Sequence, residues 1–280
     1  MEANKVKGEA KSLVLDNGAE LTYFERGAEN EEVLICAAFY HHTFMPVAEG
    51  LAERYHVYGI VMRFDGISDQ KEADGTTHWG RQWGKDVYDF AQKMGIKKFH
   101  YMGKCHGTIP GWWLVKNHPE VLIDFCSFFL APHLKPQNSH KWADLLSGGD
   151  TTEMMRVALR HPETGLKKKM EEMQSLGKDG LSPEANRIIF KYGSEPQQAW
   201  DSIEGCERDL THITVPVGYL FGSEDPLLED YYDSNMYAWK ITRGCHFTIL
   251  NGERHLMELD CPERVVSEAF AFIDQAHKFN

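Results

Sequence analysis

The stretch Phe99-His100-Tyr101-Met102-Gly103-Lys104-Cys105-His106-Gly107-Thr108 decides how the whole chain is read. Phe99–Met102 is a short apolar and aromatic run of strand type, and Gly107–Asn117, through Trp112 and Trp113, is helical in pattern. Between them a cysteine stands two residues from a glycine on either side. A strand that turns sharply into a helix around G-x-nucleophile-x-G lifts its central side chain clear of a sheet. Side chains at the glycine positions would strike the adjoining strand and helix. Cys105 therefore occupies a nucleophile's position, with a thiol where serine is usual. A helix start favours thiolate over thiol and lowers the pKa from about 8.5. The backbone N–H of His106 points where an oxyanion would form. Taken alone, GxCxG also fits a small buried cysteine that lets a helix pack on a strand.

Working outward, strand-like runs alternate with helix-length amphipathic segments. The runs are Ser12–Leu15, Leu21–Phe24, Val33–Ala38, Val57–Met62, Phe99–Met102, Ile123–Phe129, Val215–Phe221 and Cys245–Leu250. Helices are expected at Pro46–Arg54, His78–Met94, Gly107–Asn117, Glu229–Ala238 and Pro262–Lys278. This order predicts an α/β fold, a mostly parallel central sheet with helices on both faces. Residues 134–209 break the rhythm, being rich in Met, Lys and Glu without a buried strand. They are expected to form a helical lid inserted into a core made of 1–133 and 210–280. Trp142, Met154, Met155, Met170 and Met173 are apolar enough to line a pocket, although such residues at helical spacing are more often plain packing.

Two further segments give the thiol its partners. Val215–Phe221 runs into Gly222-Ser223-Glu224-Asp225-Pro226, a turn that presents an acid, Asp225. Cys245–Leu250 runs into Asn251-Gly252-Glu253-Arg254-His255, a loop that presents His255. Nucleophile, acid and histidine thus follow in that order, each past the carboxyl end of a strand, where open α/β sheets assemble their sites.

Composition narrows the functions. The 280 residues hold 30 Lys and Arg against 42 Asp and Glu, a formal charge of −12 that opposes binding to nucleic acid or anionic lipid. No apolar run reaches a membrane span, and the N-terminal residues do not resemble a secretion signal. A cytoplasmic protein is expected. Six cysteines without a CxxC pair are expected to be thiols there. No GxGxxG or GxxxxGKS loop calls for a nucleotide, so no cofactor is expected. The sequence leaves the oligomeric state open, a homodimer included.

With these motifs the chain resembles the α/β-hydrolase superfamily nearly end to end. Arg63-Phe64-Asp65-Gly66-Ile67-Ser68-Asp69 resembles its RGHGxSD loop, and Phe221-Gly222-Ser223-Glu224-Asp225 its acid turn. The cysteine elbow is similar to that of dienelactone hydrolases, while the general pattern is closer to lidded lactonases and carbon-carbon bond hydrolases. The resemblance implies a second oxyanion donor after the third strand, at Phe39 or Tyr40. That stretch departs from the family's His-Gly, reading Ala37-Ala38-Phe39-Tyr40-His41-His42. The paired His41 and His42 lack a carboxylate or cysteine at ligand spacing, so no metal is expected and substrate contact is the better reading. Trp142 joins them as an expected substrate contact.

A thiol nucleophile biases the substrate. A thiolate, of conjugate-acid pKa about 8.5, leaves a tetrahedral intermediate far more readily than an alkoxide whose parent acidity is near that of water, about 15.7. The favoured small-molecule carbonyl substrates are enol or aryl esters, lactones and thioesters. Cleavage of a carbon-carbon bond in a β-diketone, acyl transfer to another acceptor, and a non-catalytic ligand sensor of the same fold remain open alternatives.

Overall fold

The computed structural model describes residues 10–38, 41–147, 151–162, 183–193 and 199–279. Eight strands form one sheet: β1 (Lys11–Val14), β2 (Glu20–Arg26), β3 (Val33–Ala38), β4 (His56–Val61), β5 (Phe99–Lys104), β6 (Leu122–Phe128), β7 (Val217–Gly222) and β8 (His246–Leu250). Their order is β1-β2-β4-β3-β5-β6-β7-β8. The first two strands join antiparallel, and every pairing from β4 through β3 to β8 is parallel. After β3 the chain steps outward to β4 and then returns to the other side of β3 as β5. Such a reversal opens a crevice at the carboxyl ends of the two strands.

Helices cover both faces, so strand side chains are buried on alternate sides and the strands read as nearly continuous apolar runs. Ile35, Ala37, Phe99 and Tyr101 face one core with Trp83, Phe90 and Trp112 from the helices Trp79–Lys93 and Thr108–Asn117. Leu34, Cys36 and Met102 face the other, with Val47, Leu51, Val265 and Phe272 from the helices His41–Leu51 and Pro262–Phe279.

Strand bounds differ from the sequence reading by one or two residues, but two helices differ more. The helix expected to start at Pro46 runs His41–Leu51, with Pro46 inside it. Proline favours a first turn because it lacks an N–H, yet here only one intrahelical bond is forgone, and Val47 and Leu51 beyond it are fully buried. The helix expected at Glu229–Ala238 is two, Pro226–Asp230 and Tyr232–Ile241. Asp225 caps the first by accepting a hydrogen bond from Leu227 N at 2.8 Å, and Pro226 sits at its first position, so the helix starts three residues before Glu229.

Between β6 and β7 the described residues form the helices Lys141–Ser147, Thr151–Ala158, Pro183–Gly193 and Ile203–Thr211. Ile188, Tyr192, Trp200, Cys206 and Leu210 are buried in the first core. Met155, Ala158 and Leu159 make a smaller cluster with Leu256, beside His255 in sequence. In the Arg63 loop, the guanidinium grips Asp86 through two hydrogen bonds of 2.8 Å, both residues buried. No described helix is long and apolar enough to cross a membrane.

Candidate active site

Cys105 follows β5 directly and opens a short 3-10 turn that passes into the helix Thr108–Asn117. Its φ is +50°, a left-handed conformation that costs a non-glycine residue strain and is held only by surrounding structure. A Cβ on Gly103 would lie 2.2 Å from the Gly107 carbonyl oxygen, which is why the elbow requires glycine there. Tyr101 Oη donates to that same carbonyl at 2.6 Å and braces the turn.

Asp225 follows β7, and His255 lies in the loop after β8. The two loops are in close contact: a Cβ on Gly222 would sit 2.4 Å from the Glu253 carbonyl oxygen, and Glu224 N donates to that oxygen at 2.9 Å. His255 Nδ1 meets the Asp225 carboxylate at 3.0 and 3.2 Å, with both residues buried. With Nδ1 on Asp225, the other ring nitrogen is the one left for the Cys105 thiol, and the two groups are close enough that each shifts the other's proton affinity. Cys105, Asp225 and His255, separated by up to 150 residues, are brought into one region of the fold.

The half-buried sulfur has a second imidazole beside it, His106 Nδ1 at 3.2 Å. Burial by itself would raise the thiol pKa. The charge and hydrogen bond of His106, followed by those of His255, outweigh it and bring Cys105 well below its ordinary value. His255 is pulled down by burial but raised more by Asp225 and by Cys105, to about 9. The two shifts describe one coupled unit, a thiolate beside an imidazolium. That ion pair exists above the depressed thiol pKa and is lost as pH rises through about 9. The sequence located the thiolate's stabilisation at the helix start, and the structure adds the His106 imidazole 3.2 Å from the sulfur. His106 was expected only to offer its backbone N–H, although its place beside the nucleophile was a signal for more.

One measurement follows directly. Iodoacetamide should alkylate Cys105 first, with a pH midpoint well below about 8.5. Burial pushes Cys245 up to about 11 and Cys261 up to about 12, and raises Cys36, Cys126 and Cys206 further. Peptide mapping of the first label reads the outcome, and a Cys105 midpoint at or above 8.5 would contradict the ion pair.

Around His255, Trp142 packs at 4.6 Å between ring centroids and Phe129 at 4.9 Å. Trp142 thus lies against the imidazole. Its helix is held there by the buried Asp230, whose carboxylate accepts from Lys141 N and Trp142 N, each at 2.9 Å, and from Ser139 Oγ. The inserted segment also grips the His255 loop: Leu256 N donates to Ala158 O at 2.9 Å, and Arg254 Nη1 to Arg156 O at 3.1 Å. Lys104, next to Cys105, pairs with the buried Glu258. Phe39 and Tyr40 lie outside the described residues, as do Met170 and Met173. His41 and His42 open their helix, but their side chains are not described. Among the described residues no three His, Cys, Asp or Glu are grouped to hold a metal ion.

By sequence the chain matches no protein-family model and no curated protein. By structure it is similar to a serine hydrolase from the polyaromatic hydrocarbon-degrading bacterium Cycloclasticus zankles, with a TM-score of 0.72, 14% identity, and 95% of this chain and 97% of that one covered. It is similar to the 2-hydroxy-6-oxo-6-phenylhexa-2,4-dienoate hydrolase of Rhodococcus sp. strain RHA1, with a TM-score of 0.72, 14% identity and coverage of 95% and 99%. A carboxylesterase of Bacillus subtilis aligns with a TM-score of 0.63, 17% identity and coverage of 97% and 95%. The fold is the α/β-hydrolase fold, as the sequence resemblance implied. The first of these structures is called a serine hydrolase; this chain carries Cys105 at its elbow.

Proposed function

We propose that this protein is a hydrolase of activated acyl compounds, enol or aryl esters, lactones or thioesters, that works through a Cys105 thioester. The observation that carries the reading is the strained Cys105 sulfur beside two imidazoles, one of them held by a buried carboxylate. Cys105 and His255 act as nucleophile and acid, and Asp225 fixes the ring and stabilises its charge. The thiolate adds to the carbonyl carbon, forming a C–S bond while the carbonyl π pair moves onto oxygen. The backbone N–H of His106 and one donor from Phe39 or Tyr40 hold that oxyanion. Collapse restores the carbonyl and breaks the bond to the leaving group, which takes the proton from His255. A water molecule then gives its proton to His255 and attacks the thioester, releasing the acid and the thiolate. The described helices between β6 and β7 act as a lid on this chemistry, with Trp142 against the His255 ring.

Because a thiolate is expelled more easily than a poor leaving group, simple amides should be poor substrates and aryl or enol esters good ones. Intact-mass analysis after incubation with enol-lactones, thioesters and aryl esters tests this. A wild-type adduct of acyl mass on Cys105, lost in Cys105→Ala, is the expected result. Turnover that survives in Cys105→Ala would exclude the thioester route.

A further inference from the structure

Lys104 and Glu258 form a buried ion pair for which the chemistry above has no use. The Glu258 side chain is fully buried and that of Lys104 is 10% exposed. Lys104 Nζ donates to Glu258 Oε1, while Oε2 has no partner among the described residues. Such a pair is a poor stabiliser: taking both charges out of water costs about as much as their attraction returns, and apolar side chains of similar size often serve a fold as well. Arg63 and Asp86 make the contrast, since their two-point grip is completed by Gln82 and the Asp65 carbonyl. Fold stability therefore does not account for Lys104 and Glu258. Their place in the molecule does.

Lys104 ends β5 and directly precedes Cys105, and Glu258 lies in the short helix Met257–Asp260, three residues past His255. In the sheet, β6 and β7 stand between β5 and β8. At about 4.8 Å per strand, the two strands that carry Cys105 and His255 run roughly 14 Å apart, so no ladder hydrogen bond fixes one against the other. The His255 loop is tied to β7 and its turn through Gly222, Glu224 and Asp225. A tie to β5 has to come from side chains, and the Lys104–Glu258 pair spans that distance. Phe129, just past the intervening β6, touches both ends of it. Its φ is +72° and its N–H donates to Leu220 O at 2.9 Å. Its ring lies 4.9 Å from the His255 ring and its centroid 5.8 Å from Lys104 Nζ.

We infer that the Lys104–Glu258 pair is a positioning device that sets the reach between the Cys105 elbow and the His255 ring. The inference rests on the reading of Cys105 as nucleophile and His255 as its acid and base. Neither Lys104 nor Glu258 takes part in the chemistry; together they hold one catalytic loop against the other. A purely electrostatic role has the opposite sign. Removing the Glu258 anion would by charge alone favour a thiolate nearby, whereas releasing the His255 loop takes a stabilising imidazole away from the sulfur.

The test measures Tm, p-nitrophenyl acetate turnover and the pH midpoint of Cys105 alkylation in wild type, Glu258→Leu and the double variant Lys104→Met/Glu258→Leu. Glu258→Leu leaves a buried ammonium unpaired, so its Tm should fall, and the double variant, which removes both charges, should regain it. In both variants kcat should fall by roughly ten- to a hundredfold with KM little changed. The alkylation midpoint should move up in both. A Glu258→Leu midpoint that moves down overturns the positioning role. So does a double variant that fails to fold, or one that keeps the wild-type kcat or midpoint. Cys105→Ala separates the two readings: turnover that survives in it overturns the nucleophile and this role with it, whereas Cys105-dependent turnover beside an unaltered double variant overturns this role alone.

Discussion

Cys105→Ala is expected to lower kcat/KM for an aryl ester by on the order of 10⁴-fold or more, with the far-ultraviolet circular dichroism unchanged. The size follows from the proposed role of the side chain: without the sulfur no thioester forms, and only substrate binding and the oxyanion donors would remain. Alanine fits the half-buried position by volume, although the left-handed φ of +50° persists for any side chain there. Cys105→Ser is the more informative partner. Serine cannot form the resting anion, so His255 loses the charge that helps raise it to about 9. The serine variant should then act only where His255 is neutral, its rate rising with pH through a midpoint below 9. The wild type should fall as pH passes about 9, because His255 must be protonated to release the leaving group. Identical pH profiles for the two proteins would mean that the thiolate–imidazolium pair is not the reacting state.

The sheet was legible because each strand announces itself locally, as an apolar run bounded by turn residues. The elbow was legible because Gly103 and Gly107 flank Cys105 within five positions. The acid and the histidine could be found because order along the chain substitutes for distance once strands are placed. What could not be read are pairings that only folding creates. Asp230 reaches back 88 residues to hold Trp142, and Lys104 meets Glu258 across 154. His133 gave no local signal, since nothing near it in sequence says that Tyr231 lies flat on its ring. The helix starting at His41 was misplaced because Pro46 is a strong local signal for a first turn. Burial of Val47 and Leu51 against the sheet outweighs that preference.

Asp225→Asn should cost on the order of 10³-fold in kcat while leaving the fold intact, and the reason lies in which oxygen is already occupied. Oδ1 accepts the Leu227 N–H at 2.8 Å, so an asparagine must keep its carbonyl oxygen there and turn its NH₂ toward His255 Nδ1, where Oδ2 now lies at 3.0 Å. An NH₂ facing Nδ1 requires a lone pair on that nitrogen and places the ring proton on the nitrogen that faces sulfur. A ring in that tautomer cannot take the thiol proton, and an imidazolium would set two donors against each other. The loss should be smaller than the ~10⁴ typical when the nucleophile is serine, because a thiol ionises more readily and His106 still supports the anion. Two readouts separate this from general damage. The Cys105 alkylation midpoint should move up, since one of the groups favouring thiolate is gone. The Tm should change little, because the Leu227 cap survives the substitution. A variant with full kcat and an unmoved alkylation midpoint would show that Asp225 merely caps its helix and that the His255 ring is set by its neighbours Phe129 and Trp142 alone.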